Sequence, residues 1–263
     1  MNETRFDYLQ YIAIVLYTLL RREILRFMRI WIQTLLPPAI TTILYCVIFG
    51  ELVGRQLSGM GGYTYMEYII PGLILMAVIT NSYSNVVTSF YSTRFHKNIE
   101  EMLISPMPAY ILMIGFIAGG MARGLVVGLV VWVVSLLFAN LPFPDFGLTV
   151  VVLLLTSAVF SVAGMINGIY ARSFDGISII PTFILMPLTY LGGVFYSVEI
   201  LPEVWRNITL FNPIFYMIDV FRHASMGFSD VDISKSLIIL AACLFALVAI
   251  CLQLLVRGVR LRN

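Results

Sequence analysis

Charge is scarce in this chain of 263 residues. Asp, Glu, Lys and Arg make up 11% of it, 60% is hydrophobic, and the mean hydropathy is +0.95. A soluble globular domain carries about 25% charged and roughly 45–50% apolar residues, so this chain has too few charges to cover a water-facing surface. Its solvent is lipid. That composition excludes a soluble enzyme and a disordered protein. The net charge of +2, from basic residues scattered along the chain, excludes a nucleic-acid binder. A spanning helix takes about 20 apolar residues, which with loops leaves room for roughly six spans in one transmembrane domain, 1–263.

Further absences narrow the chemistry. The lysines are Lys97, after His96, and Lys235, after Ser234, so a Walker A loop, which needs Gly-Lys followed by Ser or Thr, cannot be built. Any ATP-driven motor must be another polypeptide. His96 and His223 are the only histidines and lack the H-E-x-x-H spacing of a metalloprotease, and no G-x-S-x-G elbow occurs. Cys46, Cys243 and Cys251 lie in apolar stretches without C-x-x-C spacing, which reads as small hydrophobes and no metal site. Acidic residues cluster at span ends and in loops, leaving no intramembrane relay for a proton-coupled carrier. A secretory signal peptide is disfavoured because the first apolar run ends in Arg21, Arg22 and Glu23 and not in a small-residue cleavage site.

What is present is an all-α pattern. Residues 7–29 have an uncharged stretch too short to span comfortably, with Asp7, Gln10, Thr18, Arg22, Arg26 and Arg29 on one helical stripe. This predicts an amphipathic interfacial helix with its arginines toward lipid phosphates; the alternative is a seventh span. Six uncharged runs follow, at about 30–50, 68–92, 109–139, 146–171, 176–195 and 236–256. The first contains Pro37 and Pro38, which should kink it, and the third is interrupted by Arg123. With the N-terminus inside, the cytoplasmic segments hold eleven basic residues, Arg5, Arg21, Arg22, Arg26, Arg29, Arg94, Lys97, Arg172, Arg257, Arg260 and Arg262. The outer ones hold Arg55, Arg206, Arg222 and Lys235. The positive-inside rule therefore places both termini in the cytoplasm and requires an even span count.

Two connections are more than turns. In the cytoplasmic loop 93–108, Asn98 is a good helix N-cap, and Glu100 and Glu101 sit where the helix dipole favours negative charge. Ile99, Met102 and Leu103 share a face, and Pro106 ends the helix. In the outer segment 196–234, Pro202 and Pro213 divide an aromatic-rich stretch into pieces too short to span, predicting a re-entrant hairpin of two short helices, or else a loop with interfacial anchors.

Polar residues inside the spans are the remaining chemical signal. Arg123 near mid-span would cost about 2.5–3.5 kcal/mol facing lipid, so it should face the bundle interior, a partner or a water-filled path, in either a structural or a transport role. The run Asn81 to Asn85 puts polar groups all round the second span, and Asn167 lies in the fourth; both read as interhelical glue or path lining. Gly115, Gly119, Gly120, Gly124 and Gly128 form overlapping G-x-x-x-G patterns that admit a close neighbour.

The stretches RFMRIWIQTLLPPAITTILYCVIFG (26–50), NIEEMLISPMP (98–108), GGMARGLVVG (119–128), FDGISIIPTFILMPLTYLGGVFYSVEILP (174–202) and FNPIFYMIDVFR (211–222), in this order, resemble the permease subunit of ABC-2 type ATP-binding-cassette exporters. The resemblance implies a homodimer on two copies of a separate ABC ATPase, which binds ATP and Mg, with no cofactor or metal in this chain. It makes 93–108 a coupling helix seated in the ATPase, through Arg94, Phe95, Asn98, Glu100, Glu101, Met102 and Pro106. It also implies a bacterial inner-membrane location and export of polysaccharides, lipid-linked oligosaccharides, drugs or other amphipathic compounds. Asn81, Asn85, Arg123 and Asn167 are the candidates for a translocation path or bundle interior. Two other classes stay open on the residues alone: a membrane-embedded enzyme acting on a lipid or lipid-linked sugar, for which Asp145, Asp175, Glu199 and Asp219 are available but unpaired, and an ion-coupled carrier.

Overall fold

A computed structural model describes residues 3–53, 63–99, 102 and 107–259. All regular structure in them is helical. In chain order the helices are α1 (Glu3–Arg29), α2 (Trp31–Tyr45, continued as a π-helical segment Cys46–Val53), α3 (Tyr65–Phe95), α4 (Ala109–Ser135), α5 (Phe146–Tyr170), α6 (Phe174–Ile180), α7 (Met186–Tyr190), α8 (Glu203–Phe211), α9 (Pro213–Met226) and α10 (Ile233–Val256). Local signals set the boundaries. Thr64 and Glu67 form a capping box at the start of α3, and Asp145 caps α5. Gly227, at φ +79°, closes α9 in the left-handed conformation that glycine adopts without strain.

Among the described residues five helices are long and apolar enough to cross a membrane, at Trp31–Gly50, Tyr65–Phe95, Ala109–Ser135, Phe146–Tyr170 and Ile233–Val256. The expected fifth span, 176–195, is helical without interruption over Phe174–Tyr190, apolar but shorter than the other five, and passes through a π-helical turn at Pro181–Leu185 between α6 and α7. Its proline gives the reason. Pro181 has no N–H for the carbonyl of Ile177, four residues back, and Asn167 of α5 supplies the donor from its Nδ2 at 3.2 Å. A proline-broken helix persists in lipid where a neighbour satisfies the freed carbonyl.

The bundle is built around α3. In its most apolar stretch 78% of residues are buried, against 11% in α10, so α3 is the axis and α10 an outer member. Helices α4 and α5 pack along it through glycines. A Cβ on Gly164 would meet the Tyr83 carbonyl oxygen at 2.5 Å, and one on Gly120 would meet Val86 at 2.3 Å and Ser161 at 2.6 Å. The glycine repeat of α4 serves two neighbours: Gly115 and Gly119 admit Leu19 and Glu23 of α1, while Gly120, Gly124 and Gly128 face α3. The expected G-x-x-x-G approach is thus made within the chain.

Helix α1 leaves Arg21 and Arg29 exposed but bonds Arg22 and Arg26 to α3. Leu19, Glu23 and Phe27, at helical spacing, are buried against the bundle, while Ile14, Tyr17, Leu25 and Met28 are exposed. Helices α1 and α2 pack along α4, and side-chain contacts at 22–93, 26–85 and 50–66 set them in the opposite direction to α3. The segment 196–234 contains two short helices, α8 and α9, opening at Pro202 and Pro213. Helix α9 is buried, with Phe215, Ile218, Asp219 and Arg222 at 1% exposure or less.

Replacing Gly164 with Val forces α5 off the α3 backbone, an overpacking that costs about 1–3 kcal/mol. Thermal unfolding of the purified protein is expected to show a lowered midpoint for this variant. Gly147→Ala, whose Cβ meets nothing closer than 3.5 Å, should leave the midpoint unchanged.

Candidate functional site

Asn81, Asn85, Ser89 and Thr93 stand four residues apart on α3 and so form one polar face. The structure sets a charged residue against each. Arg22 donates from Nη2 to Thr93 Oγ1 at 3.1 Å. Ser89 Oγ donates to Glu23 Oε1 at 2.7 Å. Arg26 Nη2 donates to Asn85 Oδ1 at 2.8 Å and to the Asn85 carbonyl at 3.1 Å. Arg123 of α4 reaches Asn81 Oδ1 at 3.4 Å. Asn85 lies ten residues before the end of α3, about 15 Å along the axis, which is half the roughly 30 Å thickness of a hydrocarbon core.

This ladder explains the burial of a carboxylate. Glu23 is 1% exposed, and its charge is held by Arg26 at 3.1 Å and by the Ser89 hydroxyl. Arg26 retains 32% of its side-chain exposure, and Arg123 is partly exposed. Their Nε atoms and Asn85 Nδ2 are buried with no hydrogen-bond partner among the described residues. Beyond Asn81 a groove of about 300 Å³ opens between α2 and α3, lined by Gln33, Thr34, Pro37, Pro38, Thr41, Tyr45 and Thr80 among others. Pro37 and Pro38 offer no N–H to the carbonyls of Gln33 and Thr34, which leaves acceptors along one wall. Farther out, Tyr45 hydrogen-bonds Tyr190 at 2.8 Å, and Phe195 stacks on both and on Phe49.

Of the expected interior residues, Asn81, Asn85 and Arg123 come together. Asn167 does not join them: it is 5% exposed and holds the Ile177 carbonyl. Glu23 and Arg26 were missed as site residues, although their i,i+3 spacing beside Arg22 was visible. Also missed was a second buried cluster at the other end of the bundle. Arg222 is fully buried, lies 3.9 Å from the Tyr68 ring centroid and donates to the Gly193 carbonyl at 2.7 Å. Asp219, one turn earlier, accepts from the backbone N–H groups of Asp230 and Val231 and from Ser229 Oγ. Burial pushes its carboxyl above the ordinary carboxylate range, against the pull of those donors and of Arg222.

At the loop 93–108 Arg94 turns inward. It donates to the carbonyls of Ile169 and Ala171 at the end of α5 and lies 5.1 Å from the Tyr91 ring centroid, the placement a cation takes at a helix C-terminus. Phe95 is 60% exposed and packs edge-on against exposed Phe174 across the next loop. Asn98 is helical and exposed, Ile99 is buried, and Met102 packs against the same cluster, as does the end of α10 through Cys251 and Leu255. Glu100, Glu101 and Pro106, with Leu103, lie outside the described residues.

This arrangement is a multi-pass helical bundle with a buried charge ladder joining its first helix to its central span. A sequence profile of the ABC-2 type transporter family matches residues 14–226, and the chain belongs to that family. It is 46% identical over 250 residues, 95% of this chain and 98% of the relative, to the inner membrane transport permease YadH of Escherichia coli K12. Nodulation protein J of Neorhizobium galegae is 23% identical over 218 residues, covering 82% and 83% of the two chains. The protein is therefore the transmembrane permease subunit of an ABC transporter, and ATP is hydrolysed by a partner ATPase. Membership decides against the membrane enzyme and the ion-coupled carrier.

Arg26→Gln strands the Glu23 carboxylate in the bundle and is expected to cost roughly 3 kcal/mol, the low end for breaking a buried pair because Arg26 is partly solvated. In a double-mutant cycle read by thermal unfolding, Glu23→Gln with Arg26→Gln should recover most of that loss.

Proposed function

We propose that the chain acts as a homodimer seated on two copies of its ATPase in a bacterial inner membrane, with both termini cytoplasmic. The complex exports an amphipathic, lipid-linked, saccharide or drug-like compound. The observation that carries this reading is the tie between α1 and the cytoplasmic half of α3. Three successive turns of α3, at Asn85, Ser89 and Thr93, are bonded to Arg26, Glu23 and Arg22. The loop 93–108 leaves α3 immediately beyond the last of them, so a force applied to the loop or to α1 moves both.

The resemblance assigns ATPase docking to Arg94, Phe95, Asn98, Glu100, Glu101, Met102 and Pro106. Their placement divides the labour. Phe95 and Asn98 are exposed and suit direct contact, with Phe174 beside Phe95 extending the surface. Arg94 and Met102 face inward and suit transmission, Arg94 through the end of α5. Glu100 and Glu101 give the loop the negative charge that a basic groove would hold. ATP binding would draw the ATPases together and carry the bundles with them, opening a way between protomers or toward lipid. The exposed apolar residues of α1, α2 and α10 suit contact with membrane lipid or the second permease.

Replacing Glu100 and Glu101 together with Lys reverses the charge of the loop while leaving the helices intact. The double variant is expected to retain its melting temperature but lose most co-purification with the ATPase, or to hydrolyse ATP without transport. Unchanged ATP-driven transport would mean that the loop is only a connector.

A further inference from the structure

We propose that Arg26, Arg123 and Asn85 form a binding site for an oxyanion headgroup, a phosphate or a group of that chemistry carried on an amphiphile, at mid-depth of the bundle. The proposal rests on the export reading for its purpose, since it names the substrate class. Its structural case is independent. Three cations, Arg22, Arg26 and Arg123, stand on the α3 ladder against one carboxylate, Glu23, which Arg26 occupies. Among the described residues Arg123 has no ion pair, and its charged neighbour is Arg26, a like charge. An excess of positive charge inside a membrane bundle is costly unless something answers it.

The unused hydrogen-bonding groups have the same sign. Arg26 Nε, Arg123 Nε and Asn85 Nδ2 are buried donors without acceptors, and Asn85 is fully buried. A phosphate offers several acceptor oxygens and a negative charge to planar guanidinium forks; a neutral hydroxyl-rich sugar meets the donors but leaves the charge. Both arginines keep partial exposure while their Nε atoms are covered, so an anion enters against the exposed guanidinium edges and reaches the unused donors as the two side chains turn toward it. Asn81, which holds Arg123, also lines the α2–α3 groove, giving the attached portion of an amphiphile a place beside its headgroup.

The test uses the purified full chain in nonionic detergent, with fluorescent phosphatidic acid and a diacylglycerol of identical chains as probes. Phosphatidic acid is expected to bind about tenfold more tightly, the worth of one charge-assisted contact. Arg123→Gln should remove most of that preference, and Arg123→Lys, which keeps the charge, should retain part of it should the glutamine variant fold poorly. Glu23→Gln frees Arg26 and should strengthen the preference, a change of sign that a purely structural role for these residues would not produce. Arg21→Gln, an exposed arginine on the same helix, should leave it unaltered. Displacement by inorganic phosphate would support the site and assign it to a soluble anion; resistance would assign it to a lipid headgroup. Equal binding of the two lipids overturns the proposal, as does an Arg21→Gln loss as large as that of Arg123→Gln. An ATPase-bound complex without headgroup preference sinks this inference alone, whereas a preference in a chain that docks no ATPase sinks the export reading and leaves the site standing.

Discussion

Inside a bilayer no water is available to solvate a polar group, so each one must find its partner in the protein. In this permease that constraint is concentrated on α3. Its face of Asn81, Asn85, Ser89 and Thr93 is apposed to Arg123, Arg26, Glu23 and Arg22. The opposite demand, close apolar packing, is met by glycines of α4 and α5 that let those helices approach the α3 backbone. The first helix is held by the polar face of α3 together with Gly115 and Gly119 of α4, and α4 and α5 are held on α3 by the remaining glycine seams. Loss of either would leave α3 with unsatisfied groups in lipid or with cavities along its length.

The ladder also changes what the first helix is. An amphipathic helix whose charges point to headgroups can slide in the membrane surface, whereas one whose charges are bonded to a neighbouring span cannot move without it. Here Glu23 is buried and Arg22 and Arg26 are bonded to α3, while Ile14, Tyr17, Leu25 and Met28 are exposed, so the last turns of α1 behave as part of the bundle. At the C-terminal end of α3 Arg94 ties that helix to the end of α5, and Phe95 packs on Phe174 beside it. This end of the bundle is thus connected internally before any partner is added.

Prolines account for the irregular half of the fold. Pro181 frees a carbonyl that Asn167 recovers, and Asn212 caps α9, which begins at Pro213, while donating to the Leu188 carbonyl at 2.6 Å. The buried Arg222 answers the Gly193 carbonyl in the same region. Asn167, Asn212 and Arg222 each bring a side-chain donor to a carbonyl of another element, whereas the carbonyls freed by Pro37 and Pro38 border the α2–α3 groove.

Much of the architecture was legible because lipid imposes simple local rules. Apolar run length marked the spans at Trp31–Gly50, Tyr65–Phe95, Ala109–Ser135, Phe146–Tyr170 and Ile233–Val256, proline positions marked the starts of α8 and α9, and the missing Gly-Lys pair marked a borrowed motor. Arg123 announced an interior position by its cost in lipid. The rest depended on facing. Run length marks 176–195 but cannot show the π-helical turn at Pro181 or its support by Asn167, which is a residue of another helix. A helical stripe names Arg22 and Arg26 as polar but cannot say which side of α1 meets protein, and that choice turns a surface helix into one side of a charge ladder. Likewise Glu23, Asp219 and Arg222 look like ordinary boundary charges in the sequence. Only the tertiary structure buries them, since burial is decided by the helix that packs opposite and not by the residue's own neighbours in the chain.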